Sequence, residues 1–158
     1  MRALTTAAIF GIALVSLCAR AYSAAPTGAR LWTAADLQSL DTTLISRMKG
    51  TGAANTQVLK AKTYSALLLH REVTNVPELH VKLNDLFVIL SGEAKIEVGG
   101  TVSGARATAP DEKLGRKLTG GTFYDVEQGD VLFVPANQWL QVFIPKGKVL
   151  RTLIVKTQ

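Results

Sequence analysis

From residue 57 onward the chain is cut into short apolar runs, with a turn signal roughly every eight to twelve residues. The runs cover 57–62, 63–73, 79–83, 85–90, 94–98, 121–126, 131–134, 139–144 and 149–156, and they favour Val, Leu, Ile and aromatic residues. Runs of that length and spacing build antiparallel sandwiches or barrels rather than helical bundles. The run 85–90 is apolar on both faces, as expected of a strand enclosed on two sides. The run 94–98 alternates, and Gly99 and Gly100 end it. Residues 101–117 mix Gly, Ala, Pro and both charges, which predicts a long surface loop. A chain of 158 residues has room for one such domain.

Ahead of the β-type region the period changes. Thr33 precedes Asp36 by three residues, the spacing of a capping box. Leu37, Leu40, Leu44 and Met48 then recur at helical spacing, and Gly50 supplies the stop. One N-terminal α-helix is therefore expected, with linker and helix over 25–55 and the β domain over 56–158. The first 24 residues read differently again. Arg2 is followed by an apolar run through Ile9, Phe10, Ile12, Leu14 and Val15, and then by the small residues Ala21, Ser23 and Ala24. That order is the signature of a secretory signal peptide cleaved near Ser23 or Ala24, and the run is short of the ~20 apolar residues of a membrane span. An uncleaved anchor and lipidation at Cys18 are the alternatives, the second opposed by the bulky Leu17. Cleavage would place the product outside the cytoplasm, secreted or periplasmic, with no membrane association of its own. It would also remove Cys18, the only cysteine, and with it any disulfide or thiolate. Discounting Arg2 and Arg20 lowers the formal net charge from +6 to +4. The remaining bases are scattered with no aromatic interleaving, so nucleic-acid binding has no support.

Two stretches narrow the fold further. The first runs from Glu78 through His80 and Asp85 to Gly92; the second runs from Gly129 through Pro135 and Asn137 to Leu140. Together they resemble the two signature motifs of the cupin superfamily, small jelly-roll β-barrels. The resemblance spans residues 56 to 156. It implies an all-β, cupin-type jelly-roll barrel carrying one N-terminal helix. In typical cupins three histidines and a glutamate at these places hold a divalent metal. Here His80 and Asp85 occupy the second-histidine and glutamate places, Glu78 stands at the first histidine, and Leu140 at the last. Asn137 replaces a glycine, an exchange that a left-handed turn tolerates. With Pro135 anchoring the turn, Leu140, Val142 and Ile144 are expected to point inward; a slip by one residue would present Gln141 instead.

Three functions follow as expectations. One is an exported small-molecule-binding cupin with an incomplete metal site. A second is a metal-dependent oxygenase, isomerase or lyase. Its metal, Mn²⁺, Fe²⁺ or Zn²⁺, would be held by Glu78, His80 and Asp85, for one imidazole with two carboxylates is a workable ligand set. A third is metal-free acid/base catalysis of the kind cupin-type sugar epimerases perform, with His80 as base beside Asp85. His80 and Asp85 are the catalytic candidates in either enzyme. His70, Phe87, Trp139, Leu140 and Gln141 are the expected pocket residues. Each of the ionisable candidates also has a plain structural role open to it: an interior hydrogen bond for the histidines, ion pairs with Lys82 or Arg71 for the carboxylates. The resemblance further implies pairing of two copies through edge strands as a homodimer.

Overall fold

The structure is a computed structural model describing residues 28–158. The expected signal peptide and Cys18 lie outside those residues. Residues Trp32–Gln158 form one compact unit, mostly β, with a single helix.

Helix α1 (Ala34–Met48) begins with the expected capping box: Thr33 accepts from the Asp36 backbone amide, and Asp36 accepts from the Thr33 amide. It ends at Lys49, in the left-handed region. Twelve strands follow among the described residues: β1 (Ala53–Lys60), β2 (Tyr64–Arg71), β3 (Glu78–His80), β4 (Asn84–Val98), β5 (Thr101–Ser103), β6 (Arg106–Ala109), β7 (Glu112–Leu114), β8 (Lys117–Thr119), β9 (Thr122–Glu127), β10 (Val131–Val134), β11 (Trp139–Phe143) and β12 (Leu150–Thr157). All pairings are antiparallel. The main sheet runs β1-β2-β12-β4-β11-β3-β7-β6, with β9 and β10 also paired to β4. It curls so that one face encloses the core, the arrangement of a cupin-type jelly roll.

Two expectations are corrected. The runs 85–90 and 94–98 are halves of one 15-residue strand, β4. Its first half pairs with β12 and β10, its second with β9 and β11. The strand bends at Gly92, which has φ of 85° and a backbone so close to β12 that a Cβ would overlap the Val149 carbonyl oxygen. A glycine here marks a corner within a strand, not its end. The expected loop at 101–117 instead folds into β5, β6 and β7 and reaches β8. Short polar strands with exposed faces carry little apolar periodicity, so composition alone reads them as loop.

The interior is a single apolar cluster built by alternating positions: Leu69 of β2, Phe87 and Ile89 of β4, Leu140 and Val142 of β11, and Leu150 and Ile154 of β12. Ile144, just past β11, joins them. The opposite face of β2 is covered by α1, whose Leu44 and Met48 are buried.

Candidate functional site

The interior face turns polar at one end. On β12 the inward positions after Leu150, Thr152 and Ile154 reach Lys156, and its cross-strand partner on β4 is Asp85. Lys156 Nζ lies 2.7 Å from Asp85 Oδ1, with side-chain exposures of 17% and 3%. The other oxygen of Asp85 lies 2.7 Å from His80 Nδ1. Lys156 Nζ also lies 3.2 Å from His80 Nδ1 and 3.1 Å from His80 Nε2, so the amine sits against the imidazole. His80 is set by β3 and by the neighbouring turn, where the Asn137 amide donates to the His80 carbonyl at 2.8 Å. That turn carries the left-handed residue the motif calls for, Asn137 at φ of 62°.

Glu78, two residues before His80, shares its face. It is paired with the interior Leu140 of β11. Arg71 continues the inward row of β2 after Leu67 and Leu69 and lies opposite Leu150. Arg71 Nε is buried with no hydrogen-bond partner. Burial pushes the Glu78 carboxyl above its ordinary range, only partly opposed by the charges of His80, Arg71 and Lys156. Burial likewise lowers Arg71 against the opposing pull of Glu78. Asp85 behaves oppositely: burial alone would raise it, but the His80 hydrogen bond and the Lys156 charge outweigh burial and hold it below the ordinary carboxylate range.

The structure therefore brings Glu78, His80 and Asp85 to one end of the interior, and Phe87 and Leu140 line the apolar part beneath. Leu140 is 1% exposed. It does not bring the rest of the expected pocket there. His70 faces the other side of β2, 4% exposed, with Nδ1 2.8 Å from Asp41 of α1 and Nε2 3.2 Å from Glu72. Trp139 and Gln141 alternate with the inward Leu140 and Val142 and so point away from the core. Gln141 donates instead to the Asn75 carbonyl. Exposed Lys82 pairs with Asp111 at 3.0 Å rather than with the cluster. Lys156 and Arg71 are the residues that sequence reasoning did not place in the site. The signal for Lys156 was the even-numbered row 150, 152, 154, 156, in which three inward residues are followed by a lysine.

A cleft of about 120 Å³, lined in part by Lys60, Lys62, Tyr64, Ser65, Leu83 and Lys156, lies beside this end and touches Lys156 but not Glu78, His80 or Asp85. A larger cleft of about 400 Å³, lined by Glu93, Asp125, Glu127 and Asp130 among others, touches none of the cluster residues and is a surface groove.

The residues do not suit the metal that such barrels typically hold. Lys156 Nζ occupies the space beside both His80 nitrogens and Asp85 Oδ1, the second Asp85 oxygen is committed to His80, and Leu140 offers no donor. Among the described residues no three His, Cys, Asp or Glu side chains converge on one point.

No family model matches the chain, and no curated protein matches it in sequence. Solved structures do resemble it. A Klebsiella pneumoniae protein with a double-stranded β-helix domain is 14% identical, with a TM-score of 0.56 over 82% of this chain and 90% of its own. The Schizosaccharomyces pombe Cnp3 cupin domain is 11% identical, with a TM-score of 0.52 over 67% of this chain and 64% of its own, just under two thirds of that length. KdgF from a Halomonas species is 10% identical, with a TM-score of 0.50 over 69% of this chain and 82% of its own.

Proposed function

We propose that this chain, which has the cupin fold, is a small-molecule-binding barrel whose site works with a lysine ammonium where a metal would sit. The observation that carries this reading is Lys156 Nζ held between Asp85 and His80. A fixed ammonium offers directional donors and a positive charge to a polar ligand but no open coordination position. The apolar floor of Phe87 and Leu140 below a few converging polar groups is the make-up of a ligand site. Export by the N-terminal segment and pairing of two copies belong to the same reading; they rest on the sequence pattern and on the cupin resemblance.

The test is titration of the purified protein with Mn²⁺, Fe²⁺, Zn²⁺ and Ni²⁺, measuring bound metal and melting temperature. No stoichiometric binding is expected. Tight binding lost in His80→Ala would overturn the reading in favour of a metalloenzyme. The 2.7 Å contact of His80 with Asp85 also favours a second reading, acid/base catalysis with Asp85 orienting the imidazole. Solvent deuterium appearing in candidate sugars, and stopping in His80→Ala, would establish it; no His80-dependent exchange would remove it.

A further inference from the structure

The proposed barrel site leaves one of its cations without a counter-charge. Arg71 points into the interior beside Leu150 and near Glu78. Its Nε is buried without a hydrogen-bond partner, and among the described residues no carboxylate lies within salt-bridge distance of it. Arg71 as a whole is half-buried, and a guanidinium drawn that far from water is normally paired with an anion, because desolvation without pairing is costly. Asp85 is already used by Lys156 and His80. Glu78 is the remaining acid, and its burial favours the uncharged form. Two cations, Arg71 and Lys156, thus act on Glu78 from different places along the ladder, and the other acid, Asp85, is committed.

Resting on the binding-barrel reading above, we propose that the ligand is a small carboxylate, its carboxylate taken by the Arg71 guanidinium and its remainder laid on the apolar interior. The planar fork of a guanidinium matches a carboxylate with two parallel hydrogen bonds. An uncharged Glu78 beside it would be a donor rather than a repelling charge.

The test titrates the purified protein by calorimetry with matched probes: acetate, pyruvate and benzoate against acetamide, pyruvamide and benzamide, with inorganic phosphate and xylose as further arms. At least one carboxylate is expected to bind at a single site, its amide partner not, and Arg71→Gln is expected to weaken that binding at least about tenfold. Ligand-free Arg71→Met is expected to melt no lower than wild type, since it removes a half-buried charge with no ion-pair partner; this separates lost binding from lost folding. Amides binding as well as carboxylates, carboxylate binding that survives Arg71→Met, or phosphate binding in place of every carboxylate would overturn the proposal. Xylose binding that depends on Lys156, with no carboxylate bound, would sink the ligand class and leave the binding barrel standing. Failure of every arm would remove both.

Discussion

Lys156 and Asp85 face each other across the β12–β4 ladder with little water around them, so each depends on the other. Removing one member of such a pair strands a buried charge, and Lys156→Met is expected to cost about 3 kcal/mol, read as a lowered denaturant midpoint. The Asp85 carboxyl, held below its free value of 3.8, contributes stability that is fully present above that value and fades as pH falls through the depressed folded value. Glu78 works against it. Raised above its free value of 4.5, Glu78 favours folding while protonated, and that contribution is lost as pH rises from 4.5 through the raised folded value. Glu78→Gln should therefore melt no lower than wild type at neutral pH and should remove that upper decline. A pH series of melting curves checks both; a Glu78→Gln profile that still falls over the same window would show that another group titrates there.

Elements hold the site in place through two kinds of junction. The first is the corner at Gly92, where a side chain would strike the β12 backbone and the positive φ disfavours one in any case. Gly92→Ala should destabilise by more than the ~1 kcal/mol of an ordinary glycine exchange, since backbone rather than a flexible side chain must move; circular dichroism through a denaturant series measures it. The second is the seat of α1 on β2, where Asp41, buried at 5%, meets His70. Asp41→Ala should loosen the helix, seen as faster amide exchange in α1 with β12 left protected. Thr33→Ala should cost about 1 kcal/mol through the lost cap. The helix was legible from sequence because capping box, period and stop agreed at every step. His70 was not. Its alternation with Ala66 and Leu68 was plain, but which face of a strand is the interior depends on partners far along the chain. The same limit hid Lys156: its meeting with Asp85 spans 71 residues and is set by the register of β12. The motif turns, by contrast, are local, and Gly92 and Asn137 both show the positive φ that their places demand. At the ligand places the motif supplied positions but not chemistry, because the lysine that fills the space comes from outside both motif stretches.

For the whole molecule, the curled sheet sets a polar cluster at one end of an otherwise largely apolar interior, with Arg71 set apart opposite Leu150. The charged interior residues belong to the curled sheet as a whole and to no single strand, since they come from β2, β3, β4 and β12. The strand arrangement also dictates an order of events. β12 lies in the middle of the sheet, between β2 and β4, although it follows the other eleven described strands in sequence. Until it is available, β2 and the first half of β4 have unpaired edges facing one another, and neither the core nor the Lys156 contact can form. Folding is then a closing step that waits for residues 150–157, slow for its size because the decisive pairings are remote in sequence. A nascent chain stopped before residue 150 should stay open to proteolysis, while one extended past Gln158 by a flexible tether should resist it.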